Sequence, residues 1–163
     1  MWEYLRIQPI ASGCPNRCRH CCDEAGPPFG ELIGLDDVQW IVDELIGAWQ
    51  SSLGTSPQVR VITDGYEPSV HPHFVRLHQY AASFLPQSRR AESDALGTNG
   101  YGLARCAAWQ SLYQAMLAAG LRRLGMVVHG AEDEHDWFVQ RPGAYQDLVT
   151  ATERALASGM DLG

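Results

Sequence analysis

The chain has 163 residues, 45% of them hydrophobic and 19% charged, a length and balance that fit one domain with a real core and exclude a disordered polymer. Its formal net charge is -7 with only 12 basic residues, every one an arginine, which argues against nucleic-acid binding and excludes a lysine Schiff base. No apolar run approaches the ~18 residues of a membrane span, and the start MWEYLRIQPI lacks the basic and long apolar regions of a signal peptide. The expectation is a cytoplasmic protein that engages neither nucleic acid nor membrane.

In chain order, EYLRIQPI (3–10) reads as a strand, and a cysteine-rich loop follows. LDDVQWIVDELIGAWQ then carries Val38, Ile41, Val42, Leu45, Ile46 and Trp49 at helical spacing, with Asp36 as the expected N-cap. SSLGTSP is turn material, and VRVITD (59–64) is a second, β-branched strand. A helix is expected from about His73 to Phe84, then a strand in SDALGTNG (93–100) that ends at the turn signal Asn99-Gly100. CAAWQSLYQAMLAAG puts Trp109, Leu112, Tyr113, Met116 and Leu117 on one face and stops at Gly120. A fourth strand lies near 124–129, and AEDEHD (131–136) reads as a solvated acidic loop. A last helix is expected to begin with Pro142 at its first position, to turn Tyr145, Leu148, Val149, Thr152 and Leu156 inward, and to end at Gly159.

Strands alternating with helices imply a parallel sheet with the helices outside it. Ligands of such sheets sit at the C-terminal strand ends. The cysteine loop, DGYEP, TNG and VHG each follow a strand, so all should meet on one rim.

The cysteine loop carries the chemistry. SGCPNRCRHCC places Cys14, Cys18 and Cys21 in the pattern C-x3-C-x2-C, with Cys22 next to the last. Disulfides are rare in the cytosol, so a tight cluster there binds metal or performs redox chemistry. Cys18-Arg-His-Cys21 taken alone is a C-x-x-C of the thiol-oxidoreductase kind. A structural zinc site wants four ligands, commonly from two separated hooks; here there is one group of three, and Cys106 or a histidine would have to complete it. Three thiolates on one loop suit a four-iron cluster with one iron left open. Cys22 reads as a spare thiol and Cys106 as a small core residue.

Cys14-x3-Cys18-x2-Cys21 resembles the signature of the radical S-adenosylmethionine (SAM) enzymes, with His20 at the position before the third cysteine that is typically aromatic. Gly65-Tyr66-Glu67-Pro68 resembles the family's G-G-E-P, Tyr66 replacing the second glycine. Thr98-Asn99-Gly100 is similar to the T-N-G after the third strand. VVHG…HDWF…RPGAY (127–145) is similar to a stretch of the members that modify peptides and build cofactors, with Val127 where serine is frequent. The resemblance covers residues 3–160.

This resemblance implies an α/β fold, a partial (β/α) barrel of the radical SAM type with about four βα units present of an expected six, residues 1–163 being a core domain truncated before its fifth strand. It implies two cofactors, a [4Fe–4S] cluster on Cys14, Cys18 and Cys21, and SAM. Gly65, Tyr66 and Glu67 would contact the methionine end of SAM, His20 would pack near the cluster or the adenine, and Asn99 and His129 would face the ribose or the substrate. The implied activity is reductive cleavage of SAM to a 5′-deoxyadenosyl radical that abstracts hydrogen from a substrate, in peptide maturation or cofactor biosynthesis, with no catalytic residue assigned on the chain. Implied partners are a low-potential electron donor (ferredoxin or flavodoxin), a peptide or small-molecule substrate, and a chain completing the barrel. The alternative is a non-catalytic zinc- or cluster-binding interaction protein on a degenerate scaffold of the same type.

Overall fold

In the computed structural model, which describes residues 4–8, 13–21, 32–63, 66–88 and 93–163, strands and helices alternate as the apolar periodicities predict. The elements are β1 (Tyr4–Ile7), α1 (Leu35–Leu53), β2 (Gln58–Val61), a 3-10 turn (Pro68–Val70), α2 (Phe74–Ser83), β3 (Ala95–Gly97), α3 (Tyr101–Arg105), α4 (Trp109–Ala118), β4 (Arg123–Gly125), α5 (Glu132–Val139), α6 (Ala144–Ala157) and β5 (Asp161–Leu162). All pairings are parallel: β1 with β2 in the register Leu5↔Val59, β3 with β4 as Leu96↔Leu124, and β4 with β5 as Leu124↔Leu162.

The expectation of one curved sheet needs correcting. Among the described residues the strands form two sheets, β1-β2 and β3-β4-β5, with no ladder between β2 and β3 and no closed barrel. A cavity of about 90 Å³ lies at this seam, lined by Val61 and Thr63 on one side, Ser93 and Ala95 on the other, and His78 and Ala81 of α2. The core divides the same way. Ile7, Val38, Val42, Val61 and Leu77 pack under the first sheet; Phe74, Leu96, Leu103, Tyr113, Met116 and Leu124 pack under the second. Phe74 and Leu77, one turn apart on α2, tie the halves together. The sequence predicts that the chain stops before a fifth strand, but a short one, β5, is present and pairs with β4, its Asp161 N–H donating to the Arg122 carbonyl at 2.8 Å.

Several helix boundaries differ from the sequence expectation for local reasons. The N-cap of α1 is Gly34, not Asp36; Asp37 accepts the Gly34 N–H at 3.2 Å, and Asp36 lies in the first turn. TNG runs directly into α3, and AEDEHD is not a solvated loop but the start of α5, where Glu132, Asp133 and Glu134 stand at the positive end of the helix dipole. Pro142 lies outside α6, which starts after Gly143 (φ +76°). The N-terminal amides of Gly143 and Tyr145 are taken by the Asp136 carboxylate of α5, so the cap comes from another helix. The inward face of α6 is also rotated. Ala144, Leu148, Ala151 and Ala155 are buried, whereas Leu156 is 57% exposed. Small side chains let α6 pack closely on α3 and α4, where the Tyr113 hydroxyl donates to the Ala151 carbonyl at 2.8 Å. No helix among the described residues is long and apolar enough to cross a membrane.

Candidate functional site

The loop after β1 is held from three directions. From the loop after β2, the Glu67 N–H donates to the Gly13 carbonyl at 3.2 Å. From α5, the loop takes up carbonyls that a helix C-terminus leaves without intrahelical partners: Arg17 N–H donates to the Val139 carbonyl and Arg19 N–H to the Phe138 carbonyl, both at 3.0 Å. Beyond the helix end, Gln140 Nε2 donates to the Arg17 carbonyl at 2.5 Å, and Arg141 Nε to Asn16 Oδ1 at 2.6 Å. From β3, Asn99 Nδ2 donates to Cys14 Sγ at 3.3 Å. Within the loop, Cys21 N–H donates to the Cys18 carbonyl at 3.0 Å, a turn that sets these two cysteines side by side.

Cys14 is buried and Cys18 and Cys21 are half-buried; none is in a disulfide. The Cys14 thiol is pushed up to about 11, first by burial, then by the negative charge of Glu67, Cys18 and Cys21, against the pull of the Asn16 N–H. Burial also raises Cys18, with Cys21 next and the Asn16 side chain and Arg141 opposing. Three thiols so placed repel one another as thiolates unless a cationic group sits among them. Among the described residues no three His, Cys, Asp or Glu side chains converge on a single metal ion. The thiolates of a four-iron cluster each bind a different iron and need no common point. The donor set, three thiols with amide donors on the sulfurs, therefore fits such a cluster.

Glu67 is 1% exposed and wholly engaged. Oε1 accepts from Ser69 N–H (3.1 Å), Ser69 Oγ (2.5 Å) and Thr98 Oγ1 (2.6 Å), and Oε2 accepts from Asn99 N–H (2.5 Å). Both hydroxyls are themselves oriented by the start of α3. Gly102 N–H donates to Ser69 Oγ and Gly100 N–H to Thr98 Oγ1, each at 3.0 Å, leaving each hydroxyl proton to the carboxylate. Burial lifts the carboxyl above its ordinary range while Ser69, Thr98 and Asn99 pull it down. This network joins the loops after β2 and β3. Tyr66, where the resemblance has glycine, keeps the left-handed backbone with φ +59°.

The sequence-predicted residues thus come together unequally. Cys14, Cys18, Cys21, Glu67 and Asn99 form one connected cluster. His20 and His129 form a second beside it: His20 meets His129 at 5.0 Å and Phe138 at 4.9 Å, and His129 stacks on Phe138 at 4.2 Å. Gly65 and Cys22 lie outside the described residues. Cys106 is half-buried at the end of α3. Sequence reading missed Asn16, His135, Asp136 and Arg141. His135 is 3% exposed and its Nδ1 accepts the His129 N–H at 3.2 Å. The HD of HDWF was the available signal for His135 and Asp136; nothing marked Asn16 or Arg141.

No curated protein matches the chain by sequence. A solved structure described as native anSMEcpe with bound AdoMet and Cp18Cys peptide is similar in fold, with a TM-score of 0.54 at 14% identity over 98% of this chain. The chain spans 41% of the length of that structure. The family model of the radical SAM superfamily matches residues 9–162, nearly the whole chain and all of the site just described. With that match over the three-cysteine loop and its supporting strand ends, the chain belongs to the radical SAM superfamily, whose cofactors are a [4Fe–4S] cluster and S-adenosylmethionine.

Proposed function

We propose that the chain is the cofactor-binding part of a radical SAM enzyme, with Cys14, Cys18 and Cys21 holding the cluster. The observation that carries this reading is the single loop bearing three thiols, fixed by β2, β3 and α5 at the strand ends where α/β ligands bind. When bound together, the cluster and SAM supply a 5′-deoxyadenosyl radical for hydrogen abstraction. The residues of the chain bind and orient. Because the Glu67 carboxylate already accepts four hydrogen bonds, the contact that Tyr66 and Glu67, with Gly65, would make to the methionine amino group comes from backbone and not from the carboxylate. The rings of His20, His129 and Phe138 supply an aromatic surface next to Cys21 suited to a purine.

A low-potential electron donor of the ferredoxin or flavodoxin kind would reduce the cluster, and a further chain or segment would complete the barrel. The peptide bound to the structure of similar fold favours a peptide substrate. The test is anaerobic reconstitution with iron and sulfide, followed by EPR of the dithionite-reduced protein with and without SAM. A four-iron signal that SAM alters is expected, and Cys14→Ala, Cys18→Ala and Cys21→Ala should each lose the cluster. Zinc without sulfide, or full iron and sulfide in all three variants, would overturn the assignment in favour of a non-catalytic interaction protein.

A further inference from the structure

The chain contains two asparagines, Asn16 and Asn99, and both serve the cysteine loop. Asn99 is fixed at both ends. Its backbone N–H is held by Glu67 Oε2 at 2.5 Å, and its Oδ1 accepts the Tyr101 N–H at 3.0 Å. An N–H can only donate, so the amide oxygen must face Tyr101. The amide nitrogen is thereby turned onto Cys14 Sγ at 3.3 Å.

Asn16 follows the same logic. It is 2% exposed, and its Oδ1 accepts from Arg141 Nε at 2.6 Å. Guanidinium has no acceptor, so the orientation is again settled. Arg141 is in turn anchored by Asp147 at 2.6 Å. The Asn16 side chain pulls the Cys18 thiol down and its backbone N–H pulls the Cys14 thiol down, each against the larger effect of burial. Serine or aspartate would receive the Tyr101 N–H as well as asparagine does. What asparagine adds at position 99 is a neutral N–H donor aimed at sulfur.

We propose that Asn99 is a positioning residue that sets the reduction potential of the cluster through Cys14. The inference rests on the cluster reading above. Reduction adds negative charge that the cysteine sulfurs share, so an N–H···S bond is stronger in the reduced state and raises the potential. The Asn99 amide therefore makes reduction easier, and losing it makes reduction harder.

The test uses the reconstituted full chain. Hyperfine spectroscopy of the reduced cluster, compared between unlabelled protein and protein carrying asparagine labelled with 15N at the side-chain amide only, should show a weakly coupled nitrogen that changes with the label. Asn99→Ser keeps a neutral acceptor for Tyr101 but has no amide donor. It should shift the ratio of reduced to oxidised cluster at fixed electrode potential about tenfold toward oxidised, which is about 59 mV for one electron. Iron and sulfide content should be unchanged. An unlabelled-like spectrum from labelled protein, or variant potentials equal to the parent, overturns the inference while the response of the parent cluster to SAM leaves the family reading intact. Should a variant fail to hold iron, the isotope comparison on the parent still decides. A parent that takes up no iron refutes both.

Discussion

Glu67→Gln isolates what the buried carboxylate does. Each of its oxygens accepts one backbone N–H, Ser69 at 3.1 Å on Oε1 and Asn99 at 2.5 Å on Oε2, and a backbone donor cannot rotate away as a hydroxyl can. Glutamine has the same shape but a single oxygen. Whichever way its amide turns, the NH2 faces one of these two N–H groups at a site 1% exposed to solvent. An orphaned buried donor costs about 1–3 kcal/mol. The remaining bonds lose their charge assistance, about 1 kcal/mol each, and the lower cost of burying a neutral amide offsets part of that loss. The net expectation is a destabilisation of about 3 kcal/mol, against the roughly 5–15 kcal/mol that hold a typical domain. In urea unfolding followed by circular dichroism, at a slope of about 2 kcal/mol per molar, the midpoint should fall by about 1.5 M with the slope unchanged. Glu67→Ala removes the acceptor from all four donors and should fall further. A glutamine variant whose midpoint lies within about 0.3 M of the parent would refute the reasoning, since about 0.6 kcal/mol is too small for an unmet buried donor.

Other perturbations probe the same framework. A Cβ at Gly102 would be driven into the Ser69 carbonyl group of the 3-10 turn, which is backbone and cannot swing aside; Gly102→Ala should destabilise by about 3 kcal/mol in thermal melts, and an unchanged melting temperature would show that α3 does not pack there. Tyr66 at φ +59° carries a left-handed penalty of about 1–2 kcal/mol, of which Tyr66→Gly should recover up to about 1 kcal/mol after its unfolded-state entropy, whereas Tyr66→Val should lose stability; the reverse ranking in urea midpoints would contradict the backbone. His71 is buried with Nε2 donating to the Ile33 carbonyl at 2.9 Å and Nδ1 accepting the His73 N–H at 3.0 Å, and burial lowers its pKa. The unfolded chain therefore binds the proton more readily, so this contribution to stability is full above about pH 6.5 and is lost as pH falls through the lower folded value. His71→Asn should flatten the urea-midpoint profile between pH 7 and 5, and an equally steep profile would remove His71 from the account.

Local periodicity made the α/β alternation legible, because a helix or a strand announces itself within a short window. The centres of the α1 and α4 stripes are where the spacing puts them, with Val38, Val42, Tyr113 and Met116 fully buried, although Leu45 of the α1 stripe is 44% exposed. The cysteine loop was legible for a chemical reason: few structures need three thiols at that spacing. The face of α6 was not, since Ala151 and Ala155 are buried for their smallness while Leu156 is left outside, and size matching against α3 and α4 is a property of the packed pair. Asn99 was expected at the ribose or the substrate, whereas here its amide sits on Cys14.

What the sequence by itself determined is therefore the α/β alternation of the main elements, the family and the three thiols; α3, α5 and β5 were not read from it. The tertiary structure decided which groups hold those thiols in place. The Glu67 carboxylate reaches Thr98 across 31 residues of chain, Arg141 reaches Asn16 across 125, and α5 offers its end carbonyls to Arg17 and Arg19. A buried donor or acceptor must find a partner wherever the fold brings one near. That partner is chosen by the packing of whole elements, which no local pattern of residues encodes.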